Sequence, residues 1–569
     1  MSYDSELTSI SREPVTYMVM TLDYCSRTFG ASPCNATGIK CYNTFTTCKY
    51  KSAYNKSSKD YTFSAAMSHL PFKSNERPYI LDVSYLPTEI KDNLTISARV
   101  KVKLHDEEDT DVGVDPYLSD RASVQGTFWK KLIARNQNYK GRTIKLYEGF
   151  YGNLFAEFQQ RFIGVIDNIT LQNGYVEIEI KDLLRSLSDI YVPAKVDIKL
   201  AVDITGVATQ LTVTNTTGLA STGYVRIADE IIYYGAKDDT TKILSSLTRG
   251  SFGTTAAEHK AKDKIQPCKY YSPQNPFDLL VSMLSTDAGI DPAYIDTAEF
   301  EFWKGWPGGE VNFSALISEP SQLDKLFFEV IDVLDAKTWV GEDLKITIRK
   351  NLPNQPGREY ATITDGANIV DKSASVDLNQ KSRKTRVSVY WDKTAIGKDE
   401  EAASYNRLDV AIDADAESVN EYNETIEKVF YCRWLRQGYD TEENMAAYVT
   451  HFITAQLLRL RDAQPVLTFS VELKDSGIKT GDFIKVSTDE LNQITGEDLD
   501  AVNFQVVFRE QNDNLIKIKA LKMPDKRIAF IAPDGTPDYP SASIAQKEYA
   551  FISDDDGLMS NGDAGYYLY

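Results

Sequence analysis

The cysteines constrain this sequence most, because four of the six lie in one short stretch near the start of the 569-residue chain. These four are Cys25, Cys34, Cys41 and Cys48, in the pattern C-x8-C-x6-C-x6-C. Glycine, proline and asparagine recur between them, which predicts a loop of successive turns. We therefore expect a loop that is folded by cross-links through its sulfur atoms.

Three kinds of cross-link are compatible with four thiols. Zinc sites usually contain two cysteines separated by only about two to four residues, and this stretch has no such pair. A 4Fe–4S cluster is larger and takes one thiolate at each iron, so it fits longer gaps. Disulfides belong to oxidising compartments. The first residues show neither a signal peptide nor a membrane-spanning run, which predicts assembly in a reducing cytoplasm and favours cluster or zinc.

Length and composition predict several β-rich domains. A chain of 569 residues exceeds what one hydrophobic core usually serves, and its 33 tyrosines and 24 phenylalanines favour strands. The formal net charge of -19 disfavours binding to the phosphates of nucleic acids. The predicted fold class is mainly β (α+β) and multidomain, with several barrel-like domains, a few amphipathic helices and an N-terminal four-cysteine loop.

Local patterns predict the main elements and the domain limits. Residues 95–104 alternate as one strand, and Asn173 with Gly174 predicts a hairpin turn. Helices are predicted at 277–285, after a capping box from Ser321 to Asp324, and at 441–461. The predicted domains are 1–72 with the cysteine loop, 73–196 as a barrel, 197–267 as a small inserted barrel with strands at 224–227, 230–234 and 243–248, 268–352 as an α+β domain, 353–525 as a second barrel, and 526–569 as a C-terminal arm that orders by docking.

Four segments resemble one family, and one of them, residues 161–187, resembles a strand-turn-strand-helix element of its barrels. The pattern C-x3-FG-x3-C-x6-CYNT-x3-C over residues 25–48 is similar to a segment of the tail-tip hub proteins of long-tailed phages such as lambda. The sequence RGSFGTTAAEH, residues 249–259, resembles a signature of small barrels inserted in phage tail proteins. Residues 471–487 resemble the last barrel of the same hubs.

This resemblance implies a structural virion protein without enzymatic activity, assembled in the host cytoplasm and located at the tail tip. It implies a homotrimeric central hub that closes the tail tube and contacts the tube or distal tail protein, the tape-measure protein and the tail-fibre or receptor-binding proteins. It also implies that Cys25, Cys34, Cys41 and Cys48 bind a 4Fe–4S cluster, with zinc as the alternative.

The remaining motifs predict little chemistry. The four histidines, His69, His105, His259 and His451, form no H-E-x-x-H motif, and the sequence has no nucleophile elbow or phosphate loop. Residues 105–120 are acidic without the register of a calcium loop. Cys268 and Cys432 are expected to be separate buried thiols. A zinc protein of other function and a tail-associated carbohydrate-degrading enzyme remain the alternatives to a structural hub.

Overall fold

The structure is a computed structural model that describes residues 13–35, 41–65, 76–86, 89–91, 94–96, 99–109, 126–305, 311–351, 360–398, 400–436, 442–461, 463–492, 496–512 and 515–523. Strands dominate it and helices are few, which confirms the predicted mainly β, multidomain fold class. The chain divides into two compact units. One consists of residues 1–88, 97–186 and 340–346, and the other of residues 89–96, 187–339 and 347–569. The predicted C-terminal arm lies outside the described residues.

The elements up to residue 192 begin with the strand that leads into the cysteine loop. In chain order the strands are β1 (Pro14–Cys25), β2 (Lys56–Ala65), β3 (Glu76–Leu86), β4 (Glu89–Lys91), β5 (Leu94–Ile96), β6 (Arg99–His105), β7 (Thr143–Phe150), β8 (Gln159–Leu171), β9 (Tyr175–Asp182) and β10 (Tyr191–Val192). The helices are α1 (Phe128–Arg135) and α2 (Leu183–Ser186).

Seven of these strands close a barrel in the order β1-β2-β3-β6-β9-β8-β7, with β7 pairing back onto β1. Val100, Val102 and Leu104 of β6 are fully buried in its core, as their alternation predicts. The predicted 95–104 strand is nevertheless two strands, because β5 pairs with β4 and only β6 belongs to the barrel. The barrel also takes strands from both sides of the predicted domain limit at 72/73, since β1 pairs with β2 and with β7.

The second unit contains most of the remaining elements. Its strands after β10 are β11 (Ile198–Lys199), β12 (Gln210–Thr212), β13 (Gly223–Ile227), β14 (Glu230–Asp238), β15 (Ile243–Thr248), β16 (Lys264–Gln274), β17 (Phe313–Ile317), β18 (Ser321–Gln322), β19 (Ala336–Val340), β20 (Ile346–Lys350), β21 (Ala361–Thr364), β22 (Ser375–Asp377), β23 (Arg386–Lys393), β24 (Tyr405–Ile412), β25 (Glu427–Tyr431), β26 (Val466–Glu472), β27 (Phe483–Asn492), β28 (Asp498–Asn512) and β29 (Leu515–Lys522). Its helices are α3 (Pro276–Ser282), α4 (Thr297–Trp303), α5 (Leu323–Val333) and α6 (Glu442–Leu460).

These strands form several sheets. A small sheet in the order β11-β16-β13-β14-β15-β12 covers the region predicted as 197–267. Its strands β13, β14 and β15 correspond to the three strands predicted there. A larger sheet follows the order β21-β27-β28-β29-β26-β22, and β4 pairs with β28. Strands β24, β23 and β25 form a third sheet.

Helices α3, α5 and α6 correspond to the three predicted helices, with one difference at a cap, whereas α1 and α4 were not predicted. Helix α6 agrees with the predicted 441–461 span, and α3 continues as one wider turn over Met283–Asp287. The capping box predicted at Ser321 is wrong, because Ser321 and Gln322 pair with β10 as β18 and Gln322 caps α5 without a side-chain bond. Among the described helices, none combines the length and apolarity that a membrane crossing requires.

Candidate metal centre

Cys25 is the last residue of β1 and the most firmly placed of the clustered cysteines. It pairs with Lys56 of β2 at the end of the β1–β2 ladder, and only 8% of its surface is exposed. Its backbone N–H donates to the carbonyl oxygen of Asn43 at 2.8 Å. The barrel therefore fixes one end of the cysteine loop, and Asn43 ties the middle of the loop to it.

Asn43 joins two of the cysteines. Its φ of 56° is left-handed, a conformation that asparagine adopts more readily than most residues. Its backbone N–H donates to Cys41 Sγ at 3.4 Å, the Cys41 thiol lies 3.6 Å from Asn43 Oδ1, and Asn43 Nδ2 donates to the Tyr24 hydroxyl. Asn43 therefore links the segment of Cys41 to Cys25 through hydrogen bonds and turns a backbone N–H toward the Cys41 sulfur.

Cys34 and Cys48 lie on tight turns of the same loop. The Cys34 N–H donates to the carbonyl of Ala31 at 2.8 Å, after Gly30 turns the chain with a φ of 75°. The Cys48 N–H donates to the carbonyl of Phe45 at 3.2 Å. Cys34 is buried and Cys48 is half-buried. Short turns of this kind can present a sulfur atom without a helix or a strand behind it.

Tyr54 follows the short helical turn Lys51–Ala53 and has a buried hydroxyl group. Within the described residues, this hydroxyl has no hydrogen-bond partner. Burial raises the pKa of Tyr54, and the neighbouring Asp23, Cys25 and Cys48 raise it further.

Basic side chains adjoin the loop. Arg142 of the barrel is hydrogen-bonded to Asp23, whose carboxylate also lies 3.2 Å from Lys56 Nζ. The Arg135 guanidinium lies over the ring of Tyr42, 3.8 Å from its centroid. A group held by four thiolates carries net negative charge, and nearby cations offset the electrostatic repulsion between those thiolates.

The loop has little hydrophobic core of its own. Among the described residues of 26–55, the buried ones are Cys34, Asn43 and Thr44, and the Phe45 side chain is 44% exposed. A segment that buries so little apolar surface gains little of the free energy that normally offsets the entropy of ordering a chain. Apolar burial within the described part of the loop therefore contributes little to its stability.

The loop supplies four sulfur donors that the structure does not bring together. All six cysteines belong to the described residues, and no disulfide joins any of them. Across the described parts of the chain, no three His, Cys, Asp or Glu side chains converge closely enough to hold one metal ion. Four thiols in one loop are the ligand type that zinc sites and iron–sulfur clusters use. Cys25, Cys34, Cys41 and Cys48 thus share one loop without forming a closed metal site.

The sequence identified the cysteines but not the residues that support them. Asn43 was recognisable only as a turn former, and Tyr24 as part of the strand end. Tyr54 and Arg142 carried no signal, because their places follow from the β1–β2 register and from a strand more than a hundred residues away. An asparagine two residues after a cysteine is the one local feature that could have indicated the Asn43 contact.

A second cluster of polar residues underlies the 249–259 signature. Glu230, which is 1% exposed, accepts from Arg249 Nε and Nη2 at 2.7 Å each, from the N–H groups of Gly250 and Ala257 at 3.0 and 3.1 Å, and contacts His259 Nε2 at 2.8 Å. Burial opposes ionisation of Glu230, but these hydrogen bonds outweigh it and hold its pKa at about 2. Arginine, glycine and histidine of the signature thus surround one buried carboxylate, which makes the motif structural.

The other candidate side chains lie apart from the cysteine loop. His451 is half-buried in α6, and burial lowers its pKa to about 4. Cys268 is half-buried and Cys432 is buried, and burial raises the pKa of each thiol to about 12. Such thiols stay protonated and unreactive at neutral pH. His69 lies outside the described residues.

Comparison with known proteins gives matches among solved structures alone. No family model matches the sequence, and no curated protein matches it. The chain is similar to a 43 kDa tail protein of prophage MuSo2 from Shewanella oneidensis, with 9% identity, a TM-score of 0.35 and coverage of 78% of this chain and 98% of that chain. The prophage tail protein gp18 from Listeria monocytogenes aligns with 11% identity, a TM-score of 0.33 and coverage of 77% and 87%. A tail protein from Neisseria meningitidis aligns with 10% identity, a TM-score of 0.35 and coverage of 78% and 96%. The solved structures that the chain resembles are thus tail proteins. Because the identities and TM-scores are low, we assign no function from this resemblance.

Proposed function

We propose that this chain is a structural protein of a phage tail tip, the central hub that closes the tail tube and connects it to fibre or receptor-binding proteins. The proposal extends to a homotrimer that contacts the tube or distal tail protein and the tape-measure protein. It includes a structural 4Fe–4S cluster on Cys25, Cys34, Cys41 and Cys48, with zinc as the alternative. The resemblance of residues 25–48 to the hub family is its starting point.

The cysteine loop is the observation that carries the proposal. It presents four thiols and, over the described residues of 26–55, almost no buried apolar side chain, while Cys25 belongs to a closed barrel. A bound cluster or zinc ion supplies four strong bonds to sulfur, and the free energy of binding becomes free energy of folding. The residues of this chain hold the group, turn an amide toward Cys41 and join the loop to the barrel through Cys25.

The Glu230 cluster supports a structural role as well. His259, one of only four histidines, contacts a carboxylate that four other hydrogen bonds already hold. His259 is only 4% exposed, so its ring is enclosed by packed residues instead of facing a substrate. We therefore propose assembly, and no catalysis, as the role of this chain.

Metal analysis after anaerobic purification tests the centre. Iron, acid-labile sulfide and zinc should be measured in the wild type, in Cys41→Ser and in the matched control Cys432→Ser. We expect about four irons and four sulfides per chain in the wild type and the control, with brown colour, and loss of both in Cys41→Ser. One zinc and no colour would replace the cluster by zinc. The absence of all three would overturn the metal centre.

The position in the virion needs a separate test. Native mass spectrometry of the purified chain should give a species of three chains. Antibodies raised against it should label the end of the tail distal to the head in particles that contain it. Labelling along the tube, or a monomer at micromolar concentration, would contradict the hub.

A further inference from the structure

The three-stranded sheet of β24, β23 and β25 buries one face and leaves the other open. On the buried face, Phe430 meets Phe452 of helix α6, with 5.0 Å between the ring centroids. The strand registers place Val410 and Val429 on either side of Ser388, on the opposite face. Because alternate residues of a strand point the same way, this open face carries four aliphatic side chains. Each is 40–49% exposed, and together they form an apolar strip: Leu408, Val410, Ile412 and Val429.

Strand β24 is also an edge of this sheet. Within the described part of the chain it pairs with β23 alone. Its two charged side chains do not guard the open face, since the Arg407 guanidinium lies over the Trp391 ring and Asp409 accepts from the Trp391 indole N–H, on the side of α6. The strand contains neither lysine nor proline. An apolar edge without such protection invites association with other chains, and native folds usually cover it.

The chain leaves its last strand near one end of the apolar strip. At the end of β29, the Lys522 N–H donates to the carbonyl of Pro465 at 2.9 Å. Pro465 comes soon after Arg461, whose Nε lies 2.6 Å from the carboxylate of Asp413. Asp413 is the residue that follows β24. Residues 524–569, most of which the sequence predicts to order by docking, therefore start a short distance from the last residue of the strip.

The start of this segment is complementary in charge to that end of the sheet. The connection from β24 to β25 carries five carboxylates and no lysine or arginine: Asp413, Asp415, Glu417, Glu421 and Glu424. Three arginines from other parts of the unit form ion pairs with these carboxylates, so negative charge remains in excess. Lys526 and Arg527 come soon after β29 and supply two positive charges.

The residues that follow are complementary in length and polarity. Residues 528–532 read IAFIA, the first apolar run after β29. Five extended residues span roughly 16 Å, and the strip along β24 from Leu408 to Ile412 is also five residues long. In an extended chain Ile528 and Phe530 point to the same side, so both can face the strip.

We propose that residues 526–532 of the same chain dock on this sheet, with Lys526 and Arg527 beside the acidic connection and Ile528 and Phe530 on the apolar strip. The segment runs from Ile412 toward Leu408, antiparallel to β24. It removes the exposed aliphatic side chains from water and covers the edge strand against other chains. This docking requires neither a metal centre nor a position in a virion.

Photo-crosslinking in the full-length chain tests the docking. Phe530→p-benzoylphenylalanine is compared with Phe551→p-benzoylphenylalanine, a matched control later in the same segment. Light chains and isotope-labelled heavy chains are mixed before irradiation, and the crosslinked peptides are identified by mass spectrometry. The Phe530 variant should crosslink to peptides of β24 or β25 within a single chain, with a yield at least about tenfold above that of the control. In that variant, Lys526→Glu with Arg527→Glu should lower the yield, because repulsion from the acidic connection replaces attraction.

Hydrogen–deuterium exchange gives a second readout. Phe530→Ser should make the amides of residues 405–412 exchange about tenfold faster than in the wild type, whereas Phe551→Ser should leave them unchanged. Equal exchange in the two variants, or crosslinks from position 530 that fall outside residues 386–431, would overturn the docking site. Crosslinks that join a light chain to a heavy chain would assign the strip to a second copy and overturn docking within one chain.

Discussion

Replacing Glu230 with glutamine should loosen the small sheet of the second unit. The carboxylate is 1% exposed and the Arg249 side chain 9%, and the two are joined by a pair of 2.7 Å hydrogen bonds. Glutamine has nearly the same shape but no charge, so Arg249 would be left buried without its counter-ion. The amide also turns an N–H₂ group toward donors such as the Gly250 and Ala257 N–H groups. The substitution thus removes one charge and sets donors against donors.

Breaking a buried ion pair by removing one partner costs about 3–5 kcal/mol. Hydrogen–deuterium exchange of peptides covering residues 223–248 measures this cost locally. In Glu230→Gln, exchange of these peptides should be roughly a hundredfold to several thousandfold faster than in the wild type. Glu319→Gln is the matched control, because Glu319 is 72% exposed and pairs with Arg226 at 2.6 Å. An exposed pair contributes at most about 1 kcal/mol. Equal exchange in the two variants would refute the view that Glu230 holds this sheet together.

Three further predictions concern single positions. The pKa of Glu230 is about 2 in the folded protein against an ordinary 4.5, so the unfolded chain takes up the proton first as pH falls. The stabilisation that the Glu230 carboxylate contributes is therefore complete above about pH 4.5 and lost toward pH 2. The greater resistance of the wild type to pepsin, compared with Glu230→Gln, should shrink across that window. Asn43→Ala should lower the free energy of unfolding by about 1–3 kcal/mol, because it removes the left-handed asparagine and its side-chain bonds. The melting temperature should fall and any bound metal should be lost faster, whereas Asn35→Ala at an exposed position should change neither. Gly481→Ala should cost about 2–5 kcal/mol in urea unfolding, since its Cβ would lie 2.0 Å from the Trp339 ring at a φ of 87°, while Gly477→Ala meets nothing within 4 Å and should be neutral.

Local patterns predicted the elements that depend on neighbours in sequence. The Asn173–Gly174 turn joins β8 to β9, and the strands of the small sheet begin and end within a few residues of their predicted limits. The closure of the barrel was not predictable in this way, because β1 meets β7 more than a hundred residues further along the chain. Ser321 failed as a helix cap for a related reason: its pairing with β10 is non-local and overrides the local preference.

The same division applies to the candidate site. The clustering of Cys25, Cys34, Cys41 and Cys48 is visible in the sequence, because it depends on spacing alone. The role of Asn43 becomes visible only when its left-handed backbone and its hydrogen bonds to Cys25 and Cys41 are known together. Those contacts arise from the strand register and from the path of the loop, which spacing does not encode.

The placement of Cys25 explains how a loop with so little core can belong to a rigid protein. β1 is paired over Tyr17–Cys25 with β2 on one side and over Pro14–Met20 with β7 on the other, so Cys25 shares the stability of the barrel. The other three cysteines lie on turns held by short local hydrogen bonds, which open easily because each closes only a few residues. A group bound to all four sulfurs therefore connects the weakest part of this segment to its strongest part. Its loss should open residues 26–55 to protease while the barrel strands stay protected, because the barrel core contains none of these sulfurs.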